Sequence, residues 1–239
     1  MLLDKSNQVF SSVSWFDEID STNLELGRQL AAGAEDFSAV IAGSQTKGQG
    51  RLGRLWSSQS GASLSLSIAI KRPAENPGWL SLLAALAVSN MIANHEVVGV
   101  GVKWPNDVLV QGRKISGILA QLVDDVVIVG IGLNIKKQAP DLNATSLEEL
   151  GLDLDLDTAA SEIGALFRDR LSKFALNPEG VKKEFSKACI TLGQSVRAEL
   201  PSGDQVFGIA SEIDSMGQLV ILTPEPTHLS AGDVWHLRS

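Results

Sequence analysis

A loop rich in glycine and arginine, residues 45–56, lies between two apolar runs and constrains the fold more than any other stretch of the chain. The run Ala39–Ala42 before it and the alternating run Ala62–Ile70 after it both predict β-strands, the second with one face buried. Glycine lets a backbone approach a ligand closely, and the planar charged groups of Arg51 and Arg54 suit phosphate and carboxylate. The loop therefore indicates a site for a small anion, although glycine and arginine alone are equally compatible with a plain hairpin loop.

The composition is that of a globular protein and excludes several kinds of function. The 239 residues suffice for one large domain, or for one domain and a small one. A net charge of −8 argues against general nucleic-acid binding, which needs a positive field. Cys189 is the one cysteine, which excludes an internal disulfide and suits a reducing compartment. Because the sequence shows neither a secretory signal nor a membrane-spanning apolar run, we expect a cytoplasmic protein.

The periodic segments predict a mixed α/β part followed by a smaller all-β part. We expect helices at 22–32, 79–93, 158–174 and 178–188, the first with a capping box formed by Thr22 and Glu25. We expect strands in the first part also at 13–16, 100–103, 108–110, 115–123 and 126–135. Four short runs near the end, separated by turn signals, predict a small barrel or sandwich at 195–200, 205–213, 219–222 and 234–237. We therefore expect one domain at 1–191 and a second at 192–239.

Cations and amides gather where the predicted strands end. The set comprises Gln45, Arg51, Arg54, Lys103, Asn106, Lys114 and Asn134. Pro105 cannot donate to a strand ladder, so it places its neighbours at a strand terminus. Fixed positive charges surrounded by glycine backbone suit a reaction that handles a phosphate and a carboxylate together. Activation of a carboxylate by a nucleoside triphosphate is such a reaction, and it needs no obvious general base.

Other chemistries lack their residues in this sequence. One cysteine and three scattered histidines provide no metal-ligand spacing, and no Gly-x-Ser-x-Gly nucleophile motif is present. The glycine loop lacks the Gly-Lys-Ser/Thr ending of a phosphate-binding P-loop. It also lies between two strands without a following helix, which excludes the dinucleotide-binding pattern.

Five motifs follow one another in a fixed order: Ser21-Thr22-Asn23, the loop Gly48–Trp56 with Gln45 before it, Lys103–Asp107, Gly112–Leu119 and Gly130–Asn134. Through these motifs the sequence strongly resembles the biotin–protein ligases, the biotin–[acetyl-CoA-carboxylase] ligases of bacteria. The chain departs from the family pattern at Gln49, where arginine is usual. The change is harmless if this residue acts through its backbone, and it weakens ATP binding if the guanidinium contacts the nucleotide.

The resemblance implies an α+β fold. A mixed-sheet catalytic domain of the biotin ligase–lipoate ligase type, related to class II aminoacyl-tRNA synthetases, would be followed by a small SH3-like β-barrel. Some members of the family carry an N-terminal DNA-binding domain. The Ser-Thr-Asn motif begins at residue 21 here, so we expect the short form, without DNA binding. We also expect no membrane partner, and a monomer or a homodimer, with segment 115–135 as the candidate edge for strand pairing.

The resemblance also implies a two-step reaction. Biotin and ATP, with Mg²⁺, would give biotinyl-5′-AMP and pyrophosphate, and a lysine of a biotin carboxyl carrier protein would then receive the biotin. The glycine loop would order over the intermediate and shield it from water.

The site residues implied by the resemblance fall into three overlapping groups, and none is a dedicated metal ligand. Biotin would be bound by Ser21, Thr22, Asn23, Gln45, Gln49, Gly50, Arg51, Lys114 and Gly117. ATP or the adenylate would be bound by Gly48, Arg51, Arg54, Trp56, Lys103, Asn106 and Asn134. The catalytic residues would be Arg51, Lys103, Lys114 and Asp107. Arg51 and Lys114 would neutralise the carboxylate and the α-phosphate, and Asp107 would orient or deprotonate the acceptor lysine.

Two alternatives remain open from the sequence. A lipoate–protein ligase would share the fold, but its Arg-Arg-x-x-Gly-Gly-Gly loop is absent. A non-catalytic module that binds biotin or a carrier domain would not need the positive charge of Arg51, Lys103 and Lys114. ATP-dependent transfer of biotin to a carrier would distinguish an enzyme from such a module.

Overall fold

Two β-sheets and the helices that pack on them make up the computed structural model, which describes residues 3–56, 61–71, 76–137, 143–200, 203–230 and 232–237. The helices in these ranges are α1 Ser6–Val9, α2 Thr22–Ala31, α3 Gly78–Asn94, α4 Leu156–Leu176 and α5 Pro178–Ala188. The strands of the first sheet are β1 Val13–Phe16, β2 Ala39–Ala42, β3 Ser63–Lys71, β4 Val100–Lys103, β5 Asp107–Val110, β6 Arg113–Val123 and β7 Val126–Asn134. Those of the second sheet are β8 Ser195–Glu199, β9 Gln205–Ile213, β10 Leu219–Leu222, β11 Thr227–Leu229 and β12 Asp233–His236.

The first sheet has the strand order β1-β2-β3-β7-β6-β5-β4. The pair β1–β2 is parallel and the other pairs are antiparallel, so the sheet is mixed, as predicted. Helix α2 packs on one face, and α3 and α4 pack on the other. The predicted helices and strands are therefore largely confirmed, whereas α1 and β11 were not predicted.

Strand β3 is buried on both faces, and the prediction of a half-buried strand is wrong. The alternation of serine with leucine and isoleucine reflects two different buried surroundings. Leu64, Leu66 and Ile68 point into the main core with α3, where each fully buried side chain contributes about 1.5–3 kcal/mol. Ser65 and Ser67 lie on the opposite face, which α2 and a cavity cover. A central strand in a sheet covered on both sides explains the difference from the prediction.

Helix α2 begins one residue earlier than a Thr22 cap would require. Ser21 occupies the N-cap position with extended backbone and makes no side-chain cap hydrogen bond. The Thr22 hydroxyl contacts Gln45 instead, and Glu25 accepts a hydrogen bond from Arg28. The predicted capping box is therefore wrong, because Gln45 engages the Thr22 hydroxyl, and Arg28 and Gln29 of the same helix engage the Glu25 carboxylate.

The second sheet is antiparallel, with the order β11-β10-β9-β8-β12. It is tied to the first part of the chain by two buried indoles. Trp79 donates from Nε1 to Asp214 O at 3.2 Å, and Trp104 donates from Nε1 to Gly217 O at 3.2 Å. The predicted fold class, a mixed-sheet domain followed by a small all-β unit, is confirmed, while the boundary between 191 and 192 stays a prediction.

Only part of the segment 115–135 lies at an edge of the first sheet. Strand β7 lies between β3 and β6, so the prediction of a free edge there is wrong for β7. Pairing of β6 with β5 ends at Gly117, and no described strand pairs with the same side of β6 beyond this point. Leu122 in that stretch is 70% exposed. The oligomeric state stays a prediction.

Candidate active site

One row of paired residues crosses the whole first sheet and forms the floor of the site. In strand order, the row consists of Phe16, Ala42, Ser65, Gly132, Gly117, Asp107 and Lys103. Paired residues on neighbouring strands point to the same face of a sheet. The centre of the row therefore has small side chains or none, and its far end carries a carboxylate and an ammonium group.

A cavity of about 300 Å³ lies over this floor. Its walls come from the start of α2, the glycine loop, the β4–β5 turn and the last strand of the second sheet. Small or absent side chains in the floor explain why the sheet surface is hollow at this point.

One end of the cavity is a buried network of hydroxyls and amides. Ser67 Oγ lies 2.7 Å from Thr22 Oγ1 and donates to Asn23 Oδ1 at 2.6 Å. Asn23 Nδ2 donates to Gln121 Oε1 at 2.6 Å, and the Thr22 backbone donates to Gln45 Oε1 at 2.7 Å. Because the strands hold Ser67 and Gln121, the helix start that carries Thr22 and Asn23 is fixed before any ligand arrives.

Glycines on β7 create the space that this network and the loop occupy. A Cβ on Gly130 would lie 2.5 Å from Asn23 Oδ1, and a Cβ on Gly132 would lie 2.3 Å from the Trp56 ring. Real Cβ atoms do not approach so closely, so each position requires glycine. Gly132 and its neighbour Gly117 thus form a surface on which the Trp56 indole rests.

The other end of the cavity is charged. Lys114 Nζ pairs with Asp107 Oδ1 at 2.7 Å and lies 5.9 Å from the Trp56 ring centroid. Arg51 Nη1 lies 3.3 Å from Asn106 Oδ1, and burial lowers the pKa of Arg51 while the nearby carboxylates oppose this shift. Four cations face two carboxylates here: Arg51, Arg54, Lys103 and Lys114 against Asp107 and Asp233. The excess positive charge suits a polyanionic ligand.

The second sheet contributes to this charged end. Arg54 forms an ion pair with Asp233 at the start of β12. Arg51 Nη1 lies 3.5 Å from the carbonyl oxygen of Gly232. The glycine loop is therefore held against the second sheet at two adjacent residues.

Most of the predicted site residues line this one cavity. They are Ser21, Thr22, Asn23, Gln45, Gln49, Gly50, Arg51, Arg54, Trp56, Lys103, Asn106, Asp107, Lys114 and Gly117. Gly48 and Asn134 lie outside the lining: Gly48 is buried and its carbonyl accepts from the Trp56 backbone, and Asn134 Nδ2 donates to Thr145 O at 3.0 Å. The structure thus brings the five motifs together, and the roles of the individual residues stay predictions.

Several residues that line the cavity were not predicted from the sequence. Gln121 and Ser65 stand in apolar strands, where a polar residue on one face was the available signal. Asp233, Val234 and Trp235 come from the second sheet, and nothing in their local sequence connects them with the glycine loop.

Neither a cluster of metal-binding side chains nor a membrane-spanning helix occurs among the described residues. No group of three or more His, Cys, Asp or Glu side chains in the described ranges is placed to hold a metal ion. In the same ranges, no helix combines the length and the apolar character needed to cross a membrane. Cys189 is buried, and burial raises the pKa of its thiol.

Comparison with known proteins agrees with this geometry. Residues 15–136 match the model of the biotin/lipoate A/B protein ligase family, and residues 191–237 match that of the biotin protein ligase C-terminal domain. The biotin–[acetyl-CoA-carboxylase] ligase of Mycobacterium tuberculosis is 40% identical over 91% of this chain and 86% of its own length. The bifunctional ligase/repressor BirA of Escherichia coli is 32% identical over 88% of this chain and 69% of its own length.

The fold comparison leads to the same family. The biotin protein ligase from Aquifex aeolicus, solved in complex with biotin and ATP, superposes with a TM-score of 0.84 at 30% sequence identity. The match covers 96% of this chain and 100% of that one. The chain therefore belongs to the biotin/lipoate A/B protein ligase family.

Proposed function

We propose that this protein is an ATP-dependent biotin–protein ligase. The observation that carries the proposal is a single cavity that joins a hydroxyl and amide network at one end to four cations at the other. A ligase of this kind must bind a polar ring and an activated carboxylate in one place. The names of the Mycobacterium and Aquifex relatives support biotin as the acid.

The ring of biotin fits the network end. Its ureido group offers two N–H donors and one carbonyl acceptor, and hydroxyl and amide side chains complement both. We assign this contact to Ser21, Thr22, Asn23 and Gln45. Gln49, Gly50 and Gly117 would line the path of the acyl chain toward the charged end.

In the first step, a carboxylate oxygen of biotin attacks the α-phosphorus of ATP. A P–O bond to biotin forms, the bond to the β-phosphate oxygen breaks, and pyrophosphate leaves with the electron pair. Arg51 and Lys114 would neutralise the two anions, which otherwise repel each other, and Lys103 would stabilise the charge that develops on the phosphate. Gly48, Arg54, Trp56, Asn106 and Asn134 would contact the nucleotide.

In the second step, the ε-amine of the carrier lysine attacks the acyl carbon of biotinyl-5′-AMP. An amide bond forms, the bond to the phosphate oxygen breaks, and AMP leaves. Asp107 would take up the proton that the amine loses. Its ion pair with Lys114 keeps this carboxylate at the charged end, where the acyl phosphate would lie.

The donor set fits a magnesium ion that is carried by the phosphates of ATP. Mg²⁺ prefers oxygen ligands and commonly binds through substrate phosphates with few protein carboxylates. The two carboxylates of the cavity, Asp107 and Asp233, are already paired with Lys114 and Arg54. When bound, the ion would neutralise phosphate charge, and the protein residues would orient the nucleotide around it.

The departure at Gln49 is compatible with the proposal. The backbone of Gln49 pairs with that of Leu55 across the loop, and its side chain is exposed. The loop conformation at this point therefore rests on the backbone, which glutamine supplies as well as arginine does.

The test is reconstitution with biotin, Mg²⁺-ATP and a biotin carboxyl carrier domain, read by mass spectrometry of the carrier. We expect a mass gain equal to one biotinyl group, only with ATP, and a large loss of rate in the Arg51→Ala and Lys114→Ala variants. Binding of biotin without labelling of any carrier would instead support a non-catalytic module. Labelling with lipoate in preference to biotin would support a lipoate ligase.

The partner and the location follow from the same proposal. A carboxylase biotin carrier is the expected protein substrate, because the names of the relatives specify acetyl-CoA carboxylase. We place the reaction in the cytoplasm, where ATP and newly made carrier protein are both available.

A further inference from the structure

A serine in the cavity floor has no role in the fold or in the site as described so far. Ser65 is 2% exposed and lines the cavity. Its hydroxyl is buried and has no hydrogen-bond partner among the described residues. Buried polar side chains are normally hydrogen-bonded, so an unpaired hydroxyl that faces a cavity points to a ligand.

The neighbours of Ser65 leave its hydroxyl open toward the cavity. In the row across the sheet, Ser65 lies between Ala42 and Gly132, whose side chains are a methyl group and a hydrogen atom. Ser67, two residues along the same face, is fully engaged with Thr22 and Asn23. The two serines thus share a strand and a face, and only one of them has its partners inside the protein.

A second unpaired group lies beside the first. The indole of Trp56 rests on Gly132, the cross-strand neighbour of Ser65. Its Nε1 is buried, also without a partner among the described residues, and Trp56 also lines the cavity. A donor and a hydroxyl that are both left open around one glycine indicate that this part of the floor is completed by a polar ligand.

We propose that the Ser65 hydroxyl hydrogen-bonds the ureido group of the substrate ring and so contributes to selection of the acid; this inference rests on the function proposed above. Its position favours the ring over the carboxylate. Ser65 is two residues from Ser67 in the network end. Three strand spacings, roughly 14 Å, separate it from Asp107 at the charged end.

The experiment compares Ser65→Ala with wild type in biotin-dependent pyrophosphate exchange. We expect the KM for biotin to rise about three- to tenfold, as for loss of one neutral hydrogen bond. The maximal rate and the KM for ATP should stay within about twofold, because the charged end is untouched. The melting temperature of the ligand-free protein should not fall, since the hydroxyl has no partner to lose.

Ser63→Ala provides a matched control. Ser63 is buried on the same strand and the same face but lies outside the cavity lining. We expect its KM for biotin to remain that of wild type. A rise in KM with a lower melting temperature in both variants would show that the serines serve the strand, and it would overturn the inference.

Desthiobiotin identifies the group that the hydroxyl contacts, because it keeps the ureido group and lacks the ring sulfur. We expect Ser65→Ala to lose the same factor with desthiobiotin as with biotin. A loss confined to biotin would place the sulfur at Ser65 and overturn the inference. If wild type makes biotinyl-AMP and Ser65→Ala matches its KM, this inference fails alone; if wild type makes none, the proposed function fails.

Discussion

The two ends of the cavity are built in different ways. At the network end, Thr22 and Asn23 are 3% and 9% exposed, and β-strand side chains hold them. At the charged end, the side chains of Arg54 and Lys114 are 64% and 37% exposed, and carboxylates of the protein pair with them. One end is fixed by internal hydrogen bonds, and the other is held by carboxylates that an anionic ligand can replace.

The difference between the two ends explains how one cavity can bind both an uncharged ring and a triphosphate. A ring with fixed donors and acceptors is recognised by groups that are already in place, so little order is lost on binding. The triphosphate is instead attracted by four cations, of which Arg54 and Lys114 pair with the carboxylates Asp233 and Asp107. We therefore expect substitutions at the network end to change affinity and stability, and substitutions at the charged end to change rate.

The largest effect is expected from Lys114→Ala. Loss of one positioned cation at a developing negative charge lowers kcat about 10²–10³-fold, and we expect this loss in the formation of biotinyl-AMP. Pyrophosphate exchange measures it. Lys47→Ala is the control, because Lys47 is a cation of the glycine loop that lies outside the cavity lining. An equal loss in both variants would mean that total positive charge, rather than its position, controls the rate.

Gly130→Ala should weaken biotin binding by about five- to 150-fold. The added Cβ would lie 2.5 Å from Asn23 Oδ1 and force that side chain from its bonds with Ser67 and Gln121, at a cost of about 1–3 kcal/mol. Calorimetric titration with biotin measures the change. Gly27→Ala, in the same helix as Asn23, places its Cβ 3.8 Å from Ile128 and should leave binding unchanged.

Ser67→Ala and Arg54→Ala compare the two ends directly in stability. We expect the first to lower the free energy of unfolding by about 1–3 kcal/mol, because it leaves the buried Asn23 Oδ1 without its partner and removes one of the two contacts of the Thr22 hydroxyl. We expect less than about 1 kcal/mol for the second, since its ion pair is exposed. Urea unfolding of the ligand-free proteins measures both changes. Equal losses of unfolding free energy in the two variants would contradict the difference between the network end and the charged end.

The smallest effect concerns Asp20, just before the Ser-Thr-Asn motif. A hydrogen bond from Arg28 lowers the pKa of Asp20 from 3.8 to about 2. A carboxylate with a lowered pKa stabilises the folded state above pH 4, and this contribution disappears as the pH falls toward 2. Melting curves of wild type and Asp20→Asn should therefore differ slightly at pH 6 and converge near pH 2. If the two melting temperatures differed by the same amount from pH 6 to pH 2, the charge of Asp20 would be excluded as the cause of the difference.

The residues of the site were predictable wherever they belong to a motif, and the reason is local. Lys103 and Asp107 flank a proline that ends one strand before the next begins, so their place at a strand terminus could be read from the sequence. The burial of both faces of β3 could not be read from the sequence, because it depends on which segments cover each face. The positions of the serines in β3 show that polar and apolar residues alternate, but they do not show what covers each face of the strand.

Distant partners account for most of what the sequence did not reveal. Strands β3 and β7 are neighbours in the sheet, although α3 and three strands separate them along the chain. The row that joins Ser65 to Gly132 and Gly117 exists only through this pairing. In the same way, Asp233 reaches Arg54 only because the second sheet packs beside the glycine loop.

The tryptophans around the cavity have an optical consequence. Trp56, Trp104 and Trp235 line the site, they are three of the five tryptophans in the chain, and the sequence contains no tyrosine. Near-ultraviolet emission of the unlabelled protein therefore comes mainly from indoles, most of which a bound ligand would touch or displace. Intrinsic tryptophan fluorescence, recorded by stopped flow, can therefore follow the binding of each substrate without any added dye.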